Sequence, residues 1–285
     1  MASSSESQYA YKSSNFPLFY DLWTDNLFGN GPSEDSPIYN KLILSSIASK
    51  SGPIVAVDLA TGTGRVVKQQ TALLSTEDRE KLLWKAIDHS ASMVERAEST
   101  FNRLPSSEIE GTKVDWIVCE AEGLENVVSE ADYLFFSAGS IAHIVTSEEV
   151  LMSLRAIGKV LSKGGRAIIS TLKLEEDGAA ASDGEADFGR AMELLIPDGE
   201  YADGKKRKFK KSKTNTDRSE GGVLKENFEI EMWEEDKKAW SEKVNWTLRE
   251  WSEGELAKLV EQAGLDLVEK REGGIQWFWI LRRKD

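Results

Sequence analysis

Three acidic residues close three short apolar runs. Asp58 follows Ile54-Val55-Ala56-Val57, Asp88 follows Leu82-Leu83-Trp84-Lys85-Ala86-Ile87, and Glu120 follows Val114-Asp115-Trp116-Ile117-Val118-Cys119. After the first comes Ala60-Thr61-Gly62-Thr63-Gly64-Arg65. Glycine carries no Cβ, so Gly62 and Gly64 let the backbone turn tightly and come close to a ligand. A helix opening near Arg65 then offers free N–H groups at the same spot. One carboxylate can accept both hydroxyls of a ribose, and Asp88 is placed for that. Glu120, Ala121 and Glu122, after the third run, are placed to read an adenine amino group. Asp58 suits an ammonium or sulfonium group and would repel a pyrophosphate. A dinucleotide fingerprint would also want a third glycine where Val67 stands. Each feature has a plainer reading, as a structural turn or as helix caps. Three acids in register with the glycine turn favour the ligand.

The elements that must position these residues follow from the hydrophobic pattern. Ile54–Val57, 82–87, 114–119, Asp132–Phe136 and Arg166–Leu172 read as strands. Segments at 66–74, Ser90–Phe101 and Ser147–Leu161 read as helices between them, the last stopped by Lys163-Gly164-Gly165. Strands alternating with helices predict an α/β fold with a doubly wound, mostly parallel sheet of seven strands. Ligands in such sheets sit beyond the carboxyl ends of the strands. Leu265–Glu269 and Ile275–Leu281 read as a closing hairpin, preceded by a helix with a Ser252/Glu255 capping box.

Residues 1–15 are Ser-rich and read as a disordered tail. Phe16, Phe19, Tyr20 and Trp23 share one helical face. Residues 16–285 read as a single domain, with 175–250 inserted after the fifth strand. Within the insertion, Phe188–Leu195 reads as a short helix. The run Lys205, Lys206, Arg207, Lys208, Lys210, Lys211 and Lys213 reads as a solvated loop or hairpin tip rather than an anion patch. Val223–Trp233 and Lys238–Thr247 read as an antiparallel hairpin.

The composition sets limits. The chain has 285 residues, a net charge of −13 and a single cysteine, Cys119. That charge disfavours nucleic acid and anionic membranes as partners. One cysteine rules out an intrachain disulfide and a cysteine zinc cage. Two histidines, His89 and His143, argue against a His-rich metal site, and no metal is expected. The absence of a signal-like or bilayer-spanning run points to a cytoplasmic protein.

The motifs together resemble a class I S-adenosylmethionine-dependent methyltransferase. The resemblance is carried by Val57–Arg65, by Ile87-Asp88-His89-Ser90-Ala91-Ser92-Met93, by Cys119–Leu124, by Ala131-Asp132-Tyr133 and by Val160–Arg166. It implies that Asp58, Ala60, Thr61, Gly62 and Gly64 contact the methionine part of the cofactor and Asp88 the ribose. It places Glu120, Ala121 and Glu122 at the adenine. His89 and Met93 flank the adenosine, and Ser137 lines the transfer site. Ala60 stands where the family often has glycine, and Glu120 where aspartate is usual.

Methyl transfer is largely a matter of alignment, with a base where the nucleophile must lose a proton. His143, after the fourth strand, is a candidate base; a packed histidine is the plainer reading. Ser137-Ala138-Gly139-Ser140 replaces the Pro-Pro-aromatic string of nucleobase amino methyltransferases, and the paired-glutamate loop of protein arginine methyltransferases is missing. The expected acceptor is therefore a small molecule, of secondary-metabolite type, methylated on O or N. Tyr20, Trp23, Trp233 and Trp246 are expected to line its pocket under a lid formed by the insertion. A methyltransferase fold doing other work, such as cyclisation or a binding-subunit role, is the alternative. Either a monomer or a homodimer is compatible.

Overall fold

The computed structural model describes residues 13–28, 31, 33–173 and 189–284. Most of the expected tail, residues 1–12, lies outside them. In chain order the elements are α1 (Phe16–Phe28), α2 (Ser36–Ser49), β1 (Ile54–Leu59), α3 (Arg65–Leu73), α4 (Thr76–Glu80), β2 (Leu82–Asp88), α5 (Ala91–Asn102), α6 (Ser106–Ile109) and β3 (Lys113–Val118). There follow β4 (Ala131–Phe136), α7 (Ser147–Val160), β5 (Leu161–Leu172), β6 (Met192–Leu195), β7 (Arg207–Lys211), β8 (Asn215–Arg218), β9 (Val223–Glu234) and β10 (Lys237–Arg249). The chain closes with α8 (Glu253–Gln262), β11 (Leu265–Gly273) and β12 (Gln276–Arg283).

The described residues fall into two compact units, one within 33–173 and 251–284, the other within 13–31 and 189–250. The first is built on a seven-stranded sheet in the order β11-β12-β5-β4-β1-β2-β3. β1 to β5 run parallel, while β12 is antiparallel to both β5 and β11. This is the expected α/β architecture, including the terminal hairpin. Tyr39 and Ile43 of α2 and Val66 and Val67 of α3 pack on one face, against Trp84 and Phe135. Val150, Leu154 and Ile157 of α7 and Leu256 and Leu259 of α8 pack on the other. Both faces of the central strands are thus covered, which is why β1 and β4 are nearly all apolar. The capping box opens α8 as expected: Ser252 caps Glu255, and Glu255 caps back.

The second unit is an antiparallel sheet in the order β10-β9-β7-β6, with β8 also pairing β9. The β9–β10 hairpin is where the alternation placed it. Two expectations fail here. Of the described residues 189–195 none is helical: 189–191 are turn and irregular chain, and Met192–Leu195 is a strand that pairs with β7. The middle of the basic run is no loop either, since Arg207–Lys211 is an internal strand between β6 and β9, while Lys205, Lys206 and Lys213 are exposed residues outside it. The sequence reading took its charge as solvated. In the sheet it is neutralised laterally. Lys208 and Lys210 pair with Glu193, Arg207 with Asp203 and Glu234, and Lys205 with Glu234. Opposite charges on neighbouring strands make such a strand tolerable. Phe209, wholly buried, anchors it.

Candidate functional site

In the first unit Leu59 pairs with Ile87 and Asp88 with Val118, in parallel register. Asp58, Asp88 and Glu120 therefore emerge along one carboxyl edge of the sheet. Between β1 and α3 the backbone enters the left-handed region three times, at Ala60 (φ 55°), Gly62 (φ 55°) and Gly64 (φ 83°). The two glycines serve different ends. A Cβ on Gly64 would lie 3.1 Å from the Trp116 ring and 3.2 Å from the Ala97 Cβ, so this glycine lets the turn pack on β3 and α5. A Cβ on Gly62 would meet nothing within 4 Å. That face of the turn is open. Ala60 holds a left-handed conformation that costs an L-residue roughly 1–2 kcal/mol, at a position where the family resemblance expects glycine.

The acids brace this turn. Gly62 N–H donates to Asp88 Oδ2 at 2.9 Å, and Ser90 N–H donates to Asp88 Oδ1 at 2.9 Å. The His89 N–H is a third backbone donor to this carboxylate. Burial raises the Asp88 carboxyl above its ordinary range, opposed by the Ser90 N–H, His89 and the Gly62 N–H. His89 Nδ1 stands 3.5 Å from Asp88 Oδ1, with its ring exposed. Asp58 is 1% exposed and accepts a hydrogen bond from Thr61 Oγ1 at 2.6 Å. Burial pushes its carboxyl up to about 7; Thr61 and Arg65 oppose that, and Asp35 and Asp88 add to it.

Behind the turn lies a pair that the sequence reading missed. Arg65 opens α3 and grips buried Asp35 with two bonds, Nη1 to Oδ1 at 2.8 Å and Nη2 to Oδ2 at 2.7 Å. Ser33, Ser36 and Gln69 complete the cluster. Burial would raise the Asp35 carboxyl, but Arg65 and Ser33 outweigh it and hold it low. Asp35 precedes α2 and reads as an ordinary helix cap, yet its side chain makes no cap bond. Its carboxylate is committed to Arg65. Ser137, just past β4, shares a 2.9 Å hydrogen bond with Tyr39, whose ring lies 4.3 Å from that of Phe135. Burial, with the Asp35 charge behind it, raises the Tyr39 phenol well above its usual range. No motif around Tyr39 points to this role in the sequence.

The other expected residues fall as follows. Glu120 and Glu122 are exposed, and Ala121 packs against the core at the start of a 3₁₀ turn. Met93 points into the core, 1% exposed, while its N–H caps onto Ser90. His143 sits in a 3₁₀ turn after β4. The residue is solvent-exposed, and the surrounding protein, with His89 acting in the same direction, holds its imidazole below the ordinary value. It is therefore neutral at physiological pH. Among the described residues no group of three or more His, Cys, Asp or Glu could hold a metal ion. No described helix is long and apolar enough to cross a membrane.

In the second unit Trp23 and Trp246 are buried, with ring centroids 5.7 Å apart, among Phe16, Phe19 and Phe228. Tyr20 borders this group, 6.2 Å from both Phe16 and Trp23. Trp233 alternates to the other face of β9, where it donates to Glu231 and lies under the Lys210 ammonium. Three of the four expected pocket aromatics thus stand together, and the fourth does not join them.

No protein-family model matches the chain. A curated relative, the N-methyltransferase FrzE of a Cladobotryum species, is 27% identical over 174 residues. That match covers 56% of this chain and 57% of the relative, so the chain spans little more than half the relative's length. Among solved structures, DesVI of Streptomyces venezuelae superposes with a TM-score of 0.64 at 14% identity, covering 93% of this chain and 98% of that one. The sugar N-methyltransferase KedS8 of a Streptoalloteichus species gives 0.64 at 14%, covering 93% of each. An S-adenosylmethionine-dependent methyltransferase of Clostridium acetobutylicum gives 0.61 at 13%, covering 94% and 98%. With the strand order and the rim of acids, these likenesses establish the architecture: the chain has the class I S-adenosylmethionine-dependent methyltransferase fold.

Proposed function

We propose that this chain is an S-adenosylmethionine-dependent methyltransferase that acts on the nitrogen or oxygen of a small molecule. The observation that carries the reading is the turn at Gly62. It is open on one side and braced on the other by two buried carboxylates, Asp58 and Asp88. The Asp88 carboxylate has about four acceptor sites for its three backbone donors, which leaves room for a ribose hydroxyl. The N–H groups at the start of α3 suit the cofactor's carboxylate, and Asp58 suits its ammonium. Glu120, Ala121 and Glu122 are assigned to the adenine, with His89 beside the adenosine. Nitrogen is the acceptor atom named for the relative FrzE, which supports it here.

The bound cofactor supplies a methyl group made electrophilic by positive sulfur. The chain's work is to align an acceptor lone pair with that carbon and to receive a proton. Ser137, steadied by Tyr39, is assigned to the reaction centre. His143 is the assigned base: it is neutral at physiological pH and so free to accept, though weakly basic. Methyl-labelled cofactor offered with a panel of amines, phenols and thiols tests the reading. Label is expected on at least one class. Tight cofactor binding with no transfer to any of them would refute it. His143→Ala is expected to slow turnover; an unchanged rate across the pH range would remove the base assignment.

A further inference from the structure

At the carboxyl edge of the parallel sheet one amide is left without a partner. β12 runs antiparallel to β5, so its first residue, Gln276, stands opposite Leu172, the last residue of β5. Gln276 Oε1 is buried and accepts no hydrogen bond among the described residues. An acceptor left in that state is costly and calls for an explanation. The parallel unit has other such atoms. Those of Asn40, Gln70, Thr71 and Ser153 lie within helices, and that of Thr112 lies just before β3, at the opposite edge. Among the unpartnered atoms of the described residues of this unit, Gln276 Oε1 alone belongs to a strand end on the edge of Asp58 and Asp88. Its neighbours tie it to the turn after β4. Side chains alternate along a strand, so Gln276 shares a face with Phe278. The Phe278 ring centre lies 6.4 Å from that of Tyr39, the residue bonded to Ser137. The turn itself reaches β5 twice. Gly139 N–H donates to Ser170 Oγ at 2.9 Å, and the Leu172 side chain lies against Gly139, where an added Cβ would be 3.0 Å from Leu172 Cγ. Ala138 and Gly139 are both left-handed, at φ 54° and 68°. An exposed leucine and an unpartnered acceptor thus stand side by side at the turn that carries Ser137.

We propose that Gln276 binds the methyl acceptor by accepting a hydrogen bond from its N–H or O–H group, which makes it a specificity residue of the transfer site. The inference deepens the methyltransferase reading and rests on it. It draws only on residues of the parallel unit, which also holds Asp58 and Asp88. A donor on the acceptor gives Oε1 the bond it lacks, and Leu172 offers apolar surface beside it. Gln276 as a whole is half-buried, so its side chain borders solvent. A neutral amide oxygen accepts a hydrogen bond without taking the proton. The acceptor is thereby oriented while its lone pair stays free for the methyl carbon. A molecule of the same shape without the hydrogen leaves Oε1 unpaired, and sites built in this way discriminate strongly.

The test is calorimetric titration of the full chain, saturated with S-adenosylhomocysteine so that no transfer occurs, with aniline and with N,N-dimethylaniline. Both are uncharged at neutral pH, and the second has the same ring but no N–H. Aniline is expected to bind at least about tenfold more tightly. Gln276→Leu is expected to abolish that preference, while Gln276→Glu keeps it because an acceptor oxygen remains in place. Gln262→Leu, exposed at the end of α8, is expected to leave it intact. A wild type without the preference would overturn the proposal. So would a Leu variant that keeps it, since the preference would then come from bulk alone and Oε1 would serve only water. Equal losses from Gln276→Leu and Gln262→Leu would overturn it too. Titration with S-adenosylmethionine separates the two readings. Unchanged cofactor affinity in Gln276→Leu shows that the parallel unit is intact; if that variant does not fold, Gln276→Ala makes the same comparison. A wild type that binds no cofactor refutes the methyltransferase, whereas cofactor binding without the aniline preference refutes only the role of Gln276.

Discussion

At the scale of the residue, the account turns on two glycines that look alike in the sequence and differ in the fold. Gly62→Ala adds a methyl group to open space at a left-handed φ. Its expected cost is about 1 kcal/mol of stability, with cofactor affinity reduced at least about tenfold. Gly64→Ala drives the methyl group against Trp116 and Ala97 at φ 83° and should cost about 1–3 kcal/mol. Urea unfolding and calorimetry on both variants separate ligand space from packing space. Asp58 makes a second prediction. Its folded-state carboxyl lies near 7, above the value of an unfolded aspartate, because it is buried. The fold therefore holds a proton there that the unfolded chain has already released. Stability from this group is present below the unfolded value and declines as pH rises towards 7. Asp58→Asn should stabilise the ligand-free protein by roughly 1–3 kcal/mol at pH 8 and weaken cofactor binding. Binding a cationic ligand should return the wild-type carboxyl to its charged form. Calorimetry at pH 6.5 in buffers of different ionisation enthalpy should thus detect proton release on binding, and the Asn variant should lose it.

At the scale of the element, the parallel sheet was legible because its signals are local. β1 and β4 are short apolar runs ended by turns, and Ser252 with Glu255 spells out the start of α8. Strand order and the edge reached by Asp58, Asp88 and Glu120 then follow from alternation of strand and helix. What stayed hidden depends on partners distant in sequence. The strand character of Arg207–Lys211 is supported by Glu193 and Glu234 on the strands either side, and no window around the seven basic residues reveals them. The union of Asp35 with Arg65 joins the start of α2 to the start of α3, thirty residues away along the chain. Breaking a buried pair strands a charge. Asp35→Ala is expected to cost roughly 2–4 kcal/mol in urea unfolding and to loosen the turn. The protection of the Gly62 and Gly64 amides in hydrogen exchange should fall with it. A variant with unchanged stability and protection would show that the pair does not hold α3 in place.

At the scale of the whole molecule, the net charge of −13 favours a cationic ligand over a polyanion, and the buried acids of the parallel sheet concentrate that preference at one edge. Cofactor binding comes before everything else, because without it His143 has no reaction to serve. Calorimetric titration of the full chain and of its Asp88→Ala variant with S-adenosylmethionine tests it most directly. The account predicts saturable binding to the wild type and at least about tenfold weaker binding to a folded variant that has lost the ribose acceptor. Equal affinity in the two proteins, or none in the wild type, would contradict it.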